Sequence, residues 1–179
     1  MNEDSRALIS IIIPVRNEED AIPILLQRLT EVFRQIDVSV EFVFVNDGST
    51  DRTFQLIEER RKNDPRIACV DLSRGFGKEI ALTAGLEYSK GDAVVLIDAD
   101  LQDPPELIPR FIDLWKQGYD VVYATRTDRK GDSLLKRATA FLFYRVVDKA
   151  SELRIPRDTG DYRLMSRRAV SALLELPEH

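Results

Sequence analysis

The chain alternates short apolar runs with longer stretches of helical spacing. Leu8 to Pro14 is the first run, with three consecutive isoleucines, and it reads as a strand buried on both faces. Val15 to Asp20 is a polar turn, and a helix is expected over about Ala21–Gln35. There Ile22, Leu25, Leu26, Leu29, Phe33 and Ile36 keep the three- and four-residue spacing of one helical face. Val38–Val45 predicts a second strand and Ile67–Leu72 a third. Between them runs a helix reaching about Asn63, with Ser49 or Thr50 expected as its cap. Glu79–Tyr88 predicts another helix. Val94–Ile97 predicts a fourth buried strand, about Pro105–Gln117 a helix closed by Gly118, and Val121–Ala124 a fifth strand. Pro105 suits the first position of its helix.

Four repeats of strand and helix imply an α/β fold with a mostly parallel sheet and helices on both faces. Ligands of such sheets sit outside the carboxyl ends of the strands. Polar clusters fall at those ends: Arg16-Asn17-Glu18, Asn46-Asp47-Gly48-Ser49, Arg74 to Lys78, and Asp98 to Asp103. Four separate segments therefore meet on one rim. Asp98 and Asp100 are two apart, so in extended chain their carboxylates leave the same side. Two hard oxygen ligands beside the oxygens of a diphosphate suit Mg²⁺ or Mn²⁺. The glycines before Lys78 serve either a phosphate loop or a simple turn.

Composition narrows the chemistry. The 179 residues fit one domain, are 32% charged and carry a net charge of −5, which argues against nucleic acid as a partner. The only histidine is His179, and the only cysteine, Cys69, lies in an apolar run. Catalysis by a Ser-His or Cys-His pair is thus excluded, and carboxylates, cations and metal are left. No G-x-G-x-x-G or G-x-x-x-x-G-K-[ST] motif follows the first strand. Met1–Asp4 is polar and acidic, unlike a signal peptide. No apolar run reaches the roughly 18 residues of a membrane span.

Three motifs in order, Pro14-Val15-Arg16-Asn17-Glu18, Val45-Asn46-Asp47-Gly48-Ser49-Thr50-Asp51 and Asp98-Ala99-Asp100-Leu101-Gln102-Asp103-Pro104-Pro105-Glu106, resemble the inverting family 2 glycosyltransferases of the Rossmann-like GT-A fold. Leu72 to Glu79 and Gly160 to Met165 look like the branch that moves sugars onto polyprenyl phosphates, the dolichyl-phosphate mannose synthases and bactoprenol glucosyltransferases. The resemblance runs from about Leu8 to Pro177. It implies that Pro14, Arg16, Glu18, Asp47, Lys78 and Asp98 bind the nucleotide, UDP or GDP. Asp98, Asp100 and Gln102 would surround the metal and diphosphate, with Asp100 and Asp161 as the catalytic carboxylates. Arg126, Arg129, Ser133 and Arg163 would contact the acceptor phosphate. Relatives usually carry Asn where this chain has Gly75.

The resemblance further implies one catalytic domain over 1–179, with a nucleotide-sugar part at 8–125 and an acceptor part at 126–179. A C-terminal membrane region would follow in the relatives. The expected setting is the cytoplasmic membrane face. Ser133–Lys149 reads as a helix, apolar around much of its circumference, for which core packing, a subunit contact in a homo-oligomer and a membrane-surface role stay open. The activity implied is metal-dependent inverting transfer from a nucleotide-diphosphate sugar to a polyprenyl phosphate. Two other readings remain: transfer to a sugar hydroxyl in surface-glycan synthesis, and a non-catalytic nucleotide-sugar-binding domain. A phosphate monoester is largely ionised at neutral pH, with a second pKa of about 6, and hardly needs the general base that a hydroxyl needs.

Overall fold

The computed structural model describes residues 6–125 and 159–176. In chain order it contains β1 (Leu8–Val15), α1 (Ala21–Phe33), β2 (Ser39–Asn46), α2 (Thr53–Arg61), β3 (Ile67–Asp71), α3 (Lys78–Tyr88) and β4 (Ala93–Leu96). A 3₁₀ turn, Pro105–Leu107, then runs into α4 (Ile108–Lys116), followed by β5 (Val121–Thr125), β6 (Thr159–Ser166) and α5 (Arg167–Leu174). The strands form one six-stranded sheet in the order β3-β2-β1-β4-β6-β5. β1 pairs in parallel with both β2 and β4, and β2 with β3. β6 runs antiparallel to β4, with Leu96 opposite Arg163. The residues discussed below belong to one compact unit, Met1–Tyr123 with Asp161–His179; the other unit is Ala124–Gly160.

Helices cover both faces, as the near-continuous apolar strands require. On one face Ile12, Val43, Val45, Val94, Leu96 and Met165 pack against Ala81, Leu82 and Leu86 of α3 and Val170 of α5. On the other, the ring of Phe33 in α1 meets Phe42 edge-on at 6.1 Å, and Phe111 of α4 meets Tyr162 of β6 at 5.0 Å. Ile9, Ile11, Ile12 and Ile13 of β1, the central parallel strand, are fully buried. Each such side chain contributes about 1.5–3 kcal/mol relative to exposure. Buried Ser10 is satisfied by its bond to Glu41 Oε1 at 2.6 Å and by accepting the Gly91 N–H at 2.8 Å.

One expectation is corrected and two elements are added. β6 and α5 lie in a stretch to which the sequence pattern assigned no strand or helix. The strand is carried by alternation: Tyr162 and Leu164 are buried while Asp161 and Arg163 are half-buried. Alternation puts Asp161, Arg163 and Met165 on the α3 face and turns Tyr162 toward α4. There the Tyr162 hydroxyl donates to Pro104 O at 2.7 Å. Ser166 caps α5 by accepting the Ala169 N–H at 3.1 Å. Neither Ser49 nor Thr50 caps α2, which begins at Thr53 behind Arg52 without a side-chain cap. Ser49 and Thr50 are instead drawn to Asn17 on the neighbouring rim loop. The expected helix Ser133–Lys149 lies outside the described residues.

Candidate active site

The loops after β1 and β2 are stitched into one platform. Asn17, held at a φ of 57°, donates its N–H to Ser49 Oγ at 3.0 Å. Its Oδ1 accepts the Thr50 N–H at 2.8 Å. The Glu18 N–H goes to Thr53 Oγ1 at 2.8 Å, and the Glu19 N–H to Asp51 Oδ2 at 3.3 Å. Buried Asn46 donates to Asp71 Oδ1 at 2.7 Å and accepts the Ser49 N–H at 3.2 Å, tying the ends of β2 and β3. Asparagine there offers both a donor and an acceptor, which aspartate would not. Thr53 was not singled out from sequence, and Asn17, Asn46 and Ser49 were read as members of the rim's polar clusters, Ser49 also as a cap, without these partners. The density of Asx and Ser/Thr residues at two strand ends is the signal that marks them.

Asp47 pins the third rim loop. Its carboxylate accepts the N–H of Phe76 at 2.6 Å and of Gly77 at 3.1 Å, and Arg16 lies 3.7 Å away. Gly48 makes the approach possible: its φ is +65°, and a Cβ there would stand 2.4 Å from the backbone nitrogen of Gly75. At Gly75 a Cβ would lie 2.7 Å from Arg16 Nη1, so the space that a side chain would take at this position is filled by the Arg16 guanidinium.

These loops and the end of β4 enclose a cleft of about 300 Å³, lined by Pro14, Arg16, Glu18, Asp47, Lys78, Asp98 and Asp100 among others. Seven of the sequence-predicted residues therefore meet in one place. Gln102 does not line the cleft; its backbone N–H donates to Asp100 Oδ1 at 3.0 Å, steadying the carboxylate. Leu101 between them is in the left-handed region at φ 63°, a strained geometry of a kind found at functional sites. Arg126, Arg129 and Ser133 lie outside the described residues.

Charge links the cleft to β6. The Lys78 ammonium is 2.7 Å from both oxygens of Asp98 and 2.8 Å from Asp161 Oδ2. Arg163 Nη2 lies 3.1 Å from Asp161 Oδ1. Lys78, foremost by its hydrogen bond, and then Arg163 hold the Asp161 carboxyl below the usual carboxylate range. Burial tends to lower the Lys78 ammonium, but its bonds to Asp161 and Asp98 outweigh that and raise it. Glu18 moves the other way: burial first, then the charges of Asp100, Asp51 and Asp98, push its carboxyl up. The cleft floor thus has an excess of negative charge that a cation would relieve. The donor set fits a divalent metal: hard carboxylate oxygens on Asp98 and Asp100. Among the described residues no group of three or more His, Cys, Asp or Glu is placed to hold an ion. Among the described residues these side chains therefore leave room in a metal's shell for oxygens of a ligand.

A second groove, of about 790 Å³, starts at Asp161 and Arg163 and runs along α3, with Ile80, Leu82, Met165 and Leu176 among its apolar lining. Among the described residues no helix is long and apolar enough to cross a membrane.

Residues 10–174 match the family model described as "Glycosyl transferase family 2". The chain is 49% identical over 170 residues to an uncharacterized glycosyltransferase of Synechocystis, covering 95% of this chain and 54% of that protein. It is 48% identical over 170 residues to the bactoprenol glucosyl transferase of Shigella phage SfX, covering 95% and 56%. The chain thus spans about half the length of the curated relatives it matches. In three dimensions it is similar to glucosyl-3-phosphoglycerate synthase from Mycobacterium tuberculosis, solved with Mn²⁺, UDP and phosphoglyceric acid. The TM-score is 0.62 at 23% identity, over 92% of this chain and 57% of that one, a likeness of fold.

Proposed function

The chain belongs to glycosyltransferase family 2, and on that premise we propose that it moves a sugar from a nucleotide-diphosphate sugar to a polyprenyl phosphate with inversion. The observation that carries the reading is the single cleft gathering Pro14, Arg16, Glu18, Asp47, Lys78, Asp98 and Asp100 at the carboxyl ends of β1, β2 and β4. The base and ribose lie along Pro14, Arg16, Glu18 and Asp47. The diphosphate reaches Lys78 and the Asp98–Asp100 edge. Asp98 and Asp100 would hold a divalent metal, Mg²⁺ or Mn²⁺, which would supply Lewis-acid stabilisation of the leaving diphosphate.

An acceptor phosphate oxygen attacks the anomeric carbon from the face opposite the diphosphate. The bond from that carbon to the diphosphate oxygen breaks, and the nucleotide diphosphate leaves with the electron pair. No proton need be removed from an acceptor that is already ionised. Asp161 supports this choice of acceptor over a sugar hydroxyl. Both its oxygens face cations, at 2.8 and 3.1 Å, and a carboxylate so held is a weak base. Arg163, and Arg126, Arg129 and Ser133 outside the described residues, are the proposed phosphate contacts; arginine suits the task through its paired charge-assisted bonds. The apolar groove that starts at Asp161 and Arg163 is a further observation in favour of a lipid-linked acceptor. On this reading the protein works at a membrane surface, with its donor on the cytoplasmic side.

Calorimetric titration with UDP-glucose, UDP-GlcNAc and GDP-mannose, each with Mn²⁺ and with chelator, tests the proposal. Metal-dependent binding of one donor is expected. Equal binding with chelator would remove the metal from the mechanism, and no binding of any donor would remove this class of donor.

A further inference from the structure

We propose that Lys78 is the resident counter-ion of Asp98: it keeps free divalent metal out of the cleft until a nucleotide diphosphate arrives to take the lysine away. The inference rests on the reading of Asp98 and Asp100 as metal ligands and adds an order of binding to it. Its ground is positional. Lys78 Nζ is 2.7 Å from Asp98 Oδ1 and 2.7 Å from Asp98 Oδ2, so it straddles both oxygens that a metal would use. A divalent ion binds carboxylate oxygen at about 2.1 Å, and an ammonium and a metal cannot share one carboxylate edge without strong repulsion.

Two further observations point the same way. Lys78 is the first residue of α3, where the helix dipole disfavours a cation. The opposing carboxylates of Asp98 and Asp161 hold it there, the latter at 2.8 Å. And the described residues do not bring three His, Cys, Asp or Glu side chains together in one group, so among them a metal's shell is left open to the oxygens of a ligand. A diphosphate changes both terms. Its oxygens complete the metal shell, and its charge offers Lys78 a better partner than Asp98. Lys78 then turns from occupant of the metal position to clamp on the leaving group. Metal therefore enters with the nucleotide, and the protein does not hold an idle ion.

The test is Mn²⁺ binding followed by the electron paramagnetic resonance signal of free Mn²⁺, with no sugar transfer involved. Wild type, Lys78→Met, Lys78→Arg and the double variant Lys78→Met/Asp98→Asn are compared with and without UDP or GDP. Circular dichroism checks each fold, and Lys78→Gln replaces the methionine variant if that one does not fold. Without nucleotide, Lys78→Met should bind Mn²⁺ at least about tenfold more tightly than wild type, as expected for removing a cation a few ångströms away. Lys78→Arg should stay near wild type, and the double variant should lose the gain. Folded Lys78→Met with unchanged or weaker Mn²⁺ binding overturns the proposal. If wild type binds Mn²⁺ only with nucleotide and Lys78→Met gains nothing, the lysine role alone fails. If wild type binds no Mn²⁺ with either nucleotide, the metal reading fails and the lysine role falls with it.

Discussion

Asp161 lies between two cations, with Lys78 at 2.8 Å and Arg163 at 3.1 Å. Asp161→Asn keeps the shape and removes the charge. With a polyprenyl phosphate acceptor, initial rates should fall by only about tenfold, because no proton need be abstracted. A loss of about 10² to 10⁴, the range for removing a general base, would instead identify a hydroxyl acceptor. The residue types of the cleft were legible because strand ends of a parallel sheet share a rim, and Arg16, Glu18, Asp47, Asp98 and Asp100 all sit at such ends; Pro14 was named only through the family resemblance. The partners were not. Nothing local says that the Asp47 carboxylate first serves the N–H groups of Phe76 and Gly77, some thirty residues on. Nor does spacing reveal that the Gln102 backbone N–H donates to Asp100 while Lys78 reaches both Asp98 and Asp161.

At the level of elements, the rim depends on close backbone contact between the loop after β2 and the loop before α3. Gly48→Ala would place a Cβ 2.4 Å from Gly75 N and 2.6 Å from the Arg74 carbonyl carbon, at a φ of +65°. The strain should cost about 1–3 kcal/mol, read as a lower midpoint in urea. Donor affinity should fall as well, because the loop that Asp47 holds must move. Gly118→Ala is the contrast: φ is +101° with nothing within 4 Å of the added carbon. It should lower the midpoint and leave donor affinity alone. The alternating strands and helices up to Val121 were readable from periodicity. β6 was not, because only Tyr162 and Leu164 interrupt a run of charges before Met165, too short a pattern to outweigh its polar composition. The α2 cap was misassigned for a related reason: Ser49 and Thr50 have the right side chains, but the adjacent loop at Asn17 claims them.

For the whole molecule, charge placement sets the response to acid. Asp64 and Glu106, each bonded to an arginine, Asp51 at its loop bonds, where burial works against the lowering, and Asp161 all hold their carboxyls below the ordinary range. Their stabilisation is complete above the ordinary carboxylate value of about 4 and is lost as pH falls through their lower folded values. Raised Glu18 opposes them: burial and neighbouring carboxylates make its charged form unfavourable, so its protonation on acidification is relieved strain. Circular dichroism against pH should show unfolding below about pH 4, with Glu18→Gln more stable than wild type at neutral pH. The doubly wound sheet was legible in outline from strand–helix alternation, whereas its inner antiparallel strand depends on pairing across the whole unit. That pairing carries a consequence for synthesis. β6 must insert between β4 and β5, yet it is made last of the six strands. The nascent chain can lay down β1 to β4, with Lys78 against Asp98, while Asp161 is still inside the ribosome. The edge of β4 therefore stays open to wrong pairing until Ser166 has emerged. On the proposed reading the acceptor side of the site forms after the donor side, so a chain translated only through β4 has the residues proposed to grip a donor and lacks the strand that carries Asp161 and Arg163.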